Sequence, residues 1–245
     1  MEKGSPARWT GRHPDGGLRL RLFLDGLALF LVAVPFTVLL ALVDARWMPL
    51  RHLDGSVTRD TNSYVRHHPA LLGPLRATSE ITHPWVFRVI VALLAMWLVI
   101  RGAWRLAAWA VVTMTAAGFL VTGVKALVAR PRPVLPDPIA HAPGASFPSG
   151  HALGAVVGCA VIVLILLPLL RGVWRAVAWA VAVAVSLASG AFRVLLGVHY
   201  VSDVVAGWIL GAAIVLATIA AFDTWRHGEG RFRAAGPGRC RPRRR

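Results

Sequence analysis

The chain has 245 residues, of which 56% are hydrophobic and only 16% are charged. A water-soluble domain carries about a quarter charged residues, so the composition excludes an ordinary soluble globule and points to a polytopic membrane protein with one domain of about six spans. The net charge of +16 raises nucleic-acid binding, but the excess sits at the ends of apolar segments and in the tail 239–245, the pattern of topology signals and of attraction to anionic lipid headgroups, so no nucleic-acid partner is expected.

Residues 1–21 are polar and read as a disordered cytoplasmic arm. The first span runs from Leu22 to Val43, too long for the apolar region of a cleaved signal. Residues 44–83 form a long polar connection with Pro49, Pro69, Pro74 and the pair Asp54-Gly55. It reads either as short interfacial helices within 59–81, forming a lid or lipid-access surface, or as an ordinary extramembrane loop. The second span is Pro84 to Ile100 and the third Leu106 to Val128, joined by a basic turn at 101–105. A proline-rich loop, 129–148, precedes the fourth span, His151 to Leu170. A second basic turn at 171–175 leads to the fifth span, Ala176 to Phe192, and the sixth is Tyr200 to Phe222. Residues 223–245 form a basic cytoplasmic tail. The expectation is an all-α membrane domain over 22–222, a six-transmembrane-helix bundle. Cys159 reads as a small core residue and Cys240 lies in the tail, so no disulfide is indicated.

Six spans put both termini on one side. The arm, the two basic turns and the tail hold 17 of the 27 Lys and Arg residues, so both termini are expected in the cytoplasm. The connections after spans one, three and five, 44–83 among them, are then extracytoplasmic. The unusual polar residues gather at that face: Lys125, Arg130 and Arg132 after span three, Ser149, Gly150 and His151 at the start of span four, Arg193 at the end of span five, and His199 and Asp203 at the start of span six.

Lys125, Arg132 and Arg193 are cations on a side where topology disfavours them, and three converging cations suit a multiply charged anion. Ser149 and Gly150 open a helix whose free N–H groups and positive end also bind anions. His199 and Asp203, four apart, share a helix face, so the carboxylate can orient the imidazole as a nucleophile. His151 is free to give a proton to a leaving oxygen. A zinc site made of the two histidines and the aspartate is the alternative, opposed by the charge of the three cations. Glycines at 150, 154 and 158 and at 207 and 211 form small-residue stripes that would bring spans four and six, and with them His151 and His199, together.

These residues resemble the type 2 phosphatidic acid phosphatases, whose superfamily includes the vanadium haloperoxidases. The pattern Lys, six residues, Arg-Pro stands at Lys125 to Pro133, Pro-Ser-Gly-His at 148–151, and Arg, five residues, His, three residues, Asp at Arg193, His199 and Asp203. The resemblance covers spans three to six and departs from the pattern at Phe192, where the family has serine. It implies a six-helix core with the site at the outer face and a metal-independent hydrolase of lipid phosphates or diphosphates that needs no cofactor. His199 becomes the nucleophile forming a phosphohistidine, Asp203 its orienting partner and His151 the acid, while Lys125, Arg132, Ser149, Gly150 and Arg193 hold phosphate. Candidate substrates are phosphatidate, phosphatidylglycerol phosphate and undecaprenyl or other polyprenyl pyrophosphates. The Arg-, Ala- and Val-rich composition is associated with GC-rich bacterial genomes, so a bacterial inner membrane is expected. A phosphotransferase with the same intermediate and a non-catalytic lipid-phosphate binding or transport protein are the rival readings.

Overall fold

The computed structural model describes residues 15–234, and every regular element among them is helical. In chain order they are α1 (Asp15–Asp44), α2 (Met48–His67), a 3-10 turn (Pro69–Leu71), α3 (Leu72–Ile81), α4 (Pro84–Ile100), α5 (Trp104–Val128), α6 (Gly150–Leu166), a second 3-10 turn (Leu167–Leu169), α7 (Val173–Leu195) and α8 (Val201–Ala234). Six stretches are long and apolar enough to cross a membrane: Gly26–Asp44, Pro69–Ile100, Trp104–Val128, Gly150–Leu169, Val173–Leu195 and Val201–Phe222. The chain is a six-span helical membrane protein, as expected.

Two end segments start or stop elsewhere than the polarity of the sequence implies. Helix α1 begins at Asp15, inside the arm, and α8 continues past Asp223 to Ala234. Residues 1–14 of the arm and 235–245 of the tail, Cys240 among them, lie outside the described residues.

The connection 44–83, open in the sequence between short helices and a loop, is helical over most of its length. Its prolines punctuate it: Pro49 and Pro69 sit in the first turns of their helices, where the missing N–H costs nothing. Helix α2 buries Asp54, Thr58, Asn62 and Val65. That spacing is helical, but three of the four side chains are polar, so no apolar stripe announces the helix. Helices α2 and α3 both pack on α7, and α2 also reaches α8.

Helix α6 is the hub. It packs on α4, α5, α7 and α8, and 56% of its apolar window is buried against 6% for α1. Lipid tails are as apolar as Leu, so close packing and interhelical hydrogen bonds, at roughly 0.6 kcal/mol each, hold such helices together. The Thr113 and Thr218 hydroxyls meet at 3.1 Å between α5 and α8, and Trp208 Nε1 on α8 donates to the Ser186 carbonyl on α7 at 2.9 Å. The glycine stripes serve two different contacts. Gly207 and Gly211 do face α6: a Cβ on Gly207 would stand 2.6 Å from the Ser149 carbonyl oxygen. Gly154 and Gly158 face α4 instead of α8; a Cβ on Gly158 would stand 2.5 Å from the Phe87 ring. Cys159 is buried in the core cluster around α6.

Candidate active site

The site forms where the ends of α3 to α8 and the connections between them meet. Lys125 lies in the last turn of α5, and Ala129, in the left-handed region at φ 46°, turns the chain out of it. The connection 129–149 then carries Arg130 and Arg132 back over the bundle to α6. Arg193 lies in the last turn of α7. Gly197, at φ +71°, makes the turn that brings the chain to α8.

His199 precedes α8 and is not within it, so the shared helix face inferred from the sequence is not what joins it to Asp203. The Asp203 carboxylate reaches back to the Tyr200 amide at 3.0 Å. This is the carboxylate half of a capping box, with Tyr200 at the cap and Asp203 three residues on. The same oxygen, Oδ2, lies 3.4 Å from His199 Nδ1. Capping the helix and orienting the imidazole are thus one arrangement. Both residues are almost wholly buried, at 2% and 0% exposure. Burial lowers the His199 imidazole to about 4 although Asp203 raises it, so the ring is neutral near pH 7. With Nδ1 facing the carboxylate, Nε2 carries the free electron pair. Arg132 Nη1 stands 3.1 Å from that nitrogen.

A cavity of about 300 Å³ opens in front of His199. Lys125, Arg132, Gly150, His151, Arg193 and His199 line it, and so do Glu80, His83 and His141. Arg132 also donates to the carbonyl oxygens of Val198 at 2.7 Å, Gly144 at 3.0 Å and Pro143 at 3.0 Å. Lys125 Nζ donates to the Ala145 carbonyl. Arg193 Nη1 donates to Ser79 Oγ on α3 at 2.8 Å. Two buried nitrogens, Arg193 Nε and His151 Nε2, have no hydrogen-bond partner. Buried polar atoms without partners are rare and costly, and both belong to residues lining this cavity. A tetrahedral oxyanion there would satisfy them.

Ser149 and Asp203 stand behind the cavity. The Ser149 hydroxyl accepts the Ala152 amide at 3.5 Å, and its own amide donates to the Asp203 carbonyl at 2.8 Å. It caps α6 and ties α6 to the first turn of α8. Phe192 packs against the apolar cluster of Val65, Leu75, Leu196 and Val198. Among the described residues no group of three or more His, Cys, Asp or Glu is arranged to hold a metal ion.

Sequence reasoning missed several members. His83 caps α4 by accepting the Trp85 amide at 3.3 Å, and its ring meets the His151 ring edge-on at 4.8 Å. Its signal was a histidine directly before the proline that starts a span. Arg130, Asp54 and Ser202 form a buried polar cluster behind Asp203. Arg130 was visible two residues before Arg132, but nothing local tied Asp54 to either.

With this geometry in view, residues 106–227 match the family model described as the PAP2 superfamily. The chain carries a PAP2 superfamily domain. The match takes in every site residue from Lys125 to Asp203 and leaves α1 to α4 outside it. A crystal structure described as the first transmembrane PAP2-type phosphatidylglycerolphosphate phosphatase from Bacillus subtilis superposes with a TM-score of 0.72 at 20% identity, covering 80% of this chain and 96% of that one. The PAP2 fold is therefore shared well beyond the matched segment. No curated protein sequence matches the chain.

Proposed function

We propose that this PAP2 protein is a lipid phosphatase that works at the extracytoplasmic membrane face through a phosphohistidine. The observation that carries the reading is the cavity itself: three cations and four histidines, with the unpaired Arg193 Nε and His151 Nε2 among their atoms, surround a space of about 300 Å³. Lys125, Arg132, Arg193 and the amides at the Gly150 end of α6 hold the phosphate and stabilise charge on its equatorial oxygens. Ser149 contributes by fixing that helix end.

Phosphate binding draws Arg132 from His199 Nε2 and frees the lone pair. Nε2 then attacks phosphorus, forming a P–N bond as the P–O bond to the lipid breaks. His151 gives its proton to the departing oxygen, and Asp203 stabilises the positive charge on the His199 ring. Water next attacks the phosphohistidine, breaking the P–N bond and returning a proton to His151 as phosphate leaves. The three cations oppose binding of a divalent ion, so metal is not required. The extracytoplasmic placement and the cytoplasmic termini rest on the distribution of Lys and Arg, and a bacterial inner membrane on composition.

The test is phosphate release by the purified protein in detergent, across phosphatidate, phosphatidylglycerol phosphate and polyprenyl pyrophosphate. Release from at least one, inhibition by vanadate and indifference to chelator are expected. Silence on all three would favour a non-catalytic lipid-phosphate binding protein, and phosphorylated acceptors in place of free phosphate would favour a transferase.

A further inference from the structure

Behind His199, on the side away from the cavity, lies a polar cluster that the reaction above does not use; its Arg130 and Tyr200 face a separate pocket of about 390 Å³. Arg130 leaves the end of α5 and bridges two carboxylates: Nη1 meets Asp203 Oδ1 at 2.6 Å and Nη2 meets Asp54 Oδ2 at 2.8 Å. Asp54 comes from α2, 149 residues before Asp203 in the chain. It also accepts the Ser202 amide at 3.0 Å and the Ser202 hydroxyl, and Arg130 Nη1 reaches that hydroxyl at 2.7 Å. The guanidinium stacks over the Tyr200 ring at 4.2 Å. Asp54 and Asp203 are 1% and 0% exposed. Burial disfavours the Arg130 charge, yet the two carboxylates outweigh it and hold the residue protonated.

None of these groups lines the cavity in front of His199, and Arg130 is engaged by protein groups, so it is not placed to bind the substrate phosphate. What the cluster fixes is the Asp203 carboxylate. A planar fork contacting Oδ1 sets the rotation of that group, and the rotation decides whether Oδ2 faces His199 Nδ1. At 3.4 Å that contact is long enough for the rotation to matter. We propose that Arg130 and Asp54 are positioning residues for the His199–Asp203 pair, so that α2 belongs to the phosphoryl-transfer apparatus while lending no atom to the cavity. The assignment rests on the phosphatase reading, but it makes a claim about His199 that can be read without turnover.

Four full-length proteins test it in detergent: wild type, Arg130→Gln, Arg130→Lys and Asp54→Asn. Each is followed by steady-state phosphate release and by NMR titration of the labelled His199 ring. Around that ring stand Asp203 of α8, Arg132 of the 129–149 connection, Arg193 of α7 and His151 of α6; Lys125 and Arg130 bear on it through Asp203. Arg130→Gln is expected to lower kcat about a hundredfold, the usual effect of misplacing a reacting group by an ångström, with KM within about threefold. Arg130→Lys should restore part of the loss. Asp54→Asn should lower kcat about tenfold.

The His199 midpoint should fall in Arg130→Gln, because a carboxylate free to rotate no longer holds Oδ2 on Nδ1 and the ring loses the contact that raises it. It should fall less in Asp54→Asn, where Arg130 still holds Oδ1. Loss of a nearby cation alone would raise the midpoint, and a general loss of packing would raise it toward 6.5 by exposing the ring, so a rise overturns the positioning role. Wild-type kcat with an unmoved midpoint in a folded Arg130→Gln overturns the proposal, as does a change confined to KM. Should Arg130→Gln not fold, Asp54→Asn decides by the same readouts. A wild-type protein that released no phosphate would refute the phosphatase reading, and the two midpoints would still decide the positioning role.

Discussion

The two sides of His199 are built to opposite rules. In front, cations crowd a cavity, and two buried nitrogens, Arg193 Nε and His151 Nε2, lack partners. Behind, the oxygens of Asp54 and Asp203 are occupied by an arginine, backbone amides and a serine hydroxyl. Unmet hydrogen-bonding capacity is a place for a ligand to gain binding energy. Met capacity is a place where geometry is held. His199 stands on the boundary, with Nε2 toward Arg132 and Nδ1 toward Asp203.

Substitutions that attack one side at a time sharpen the contrast. The largest effect is expected for His199→Ala: no turnover, with binding of lipid phosphate largely kept because the cations remain. Wild-type-like phosphate release from that variant would rule out the phosphohistidine. Next comes Asp203→Asn, which keeps the shape of the closed side but loses the charge that selects the tautomer; a fall of about 10³–10⁴ in kcat is expected from steady-state assays. Arg193→Ala strips one donor from the open side and should cost about 10²–10³ in kcat/KM.

The pH dependence is a smaller but sharper test. His199 is lowered to about 4 from an ordinary 6.5, so the folded protein takes the proton later than the unfolded chain does. Above about 6.5 the residue contributes no pH dependence to stability, and stability falls as pH drops from there toward 4. The His199 ring stays neutral down to about 4, so on the proposed mechanism kcat/KM should keep its His199-dependent activity well below pH 6.5. An acid limb centred near 6.5 would mean the ring is not buried as described. The smallest effect is expected for Ser149→Ala: about 1 kcal/mol of stability in thermal or denaturant unfolding, as for a lost helix cap, and kcat within about threefold. A hundredfold loss of kcat would place that hydroxyl on the phosphate.

The open side was legible in the sequence and the closed side was not. Lys125, Arg132, Arg193, His151 and His199 each sit at the mouth of an apolar span, where a charge stands out against its neighbours, and all five line one cavity. The spans themselves could be read because each is a continuous apolar run. Asp54 was hidden for the opposite reason. Its helix buries a polar face, so hydrophobic periodicity gave no sign of it, and its partners Arg130 and Ser202 lie 76 and 148 residues further along the chain. Ser149 was assigned to phosphate by resemblance; in the structure its hydroxyl caps α6. At Phe192, where a family serine was missed, the hydroxyl that accepts from Arg193 comes from Ser79, a residue in the stretch that polarity alone left open between helix and loop.

The hub position of α6 also bears on synthesis. This helix emerges from the ribosome with α4 and α5 already made, yet two of the four helices it packs on, α7 and α8, are still to come. Lys125, Arg132 and His151 are by then in place, and His199 and Asp203 arrive only with the approach to α8. A nascent chain ending before residue 199 would carry Lys125, Arg132, His151 and Arg193 without His199 and Asp203, so the cavity lining can be completed only once α7 has been followed by α8.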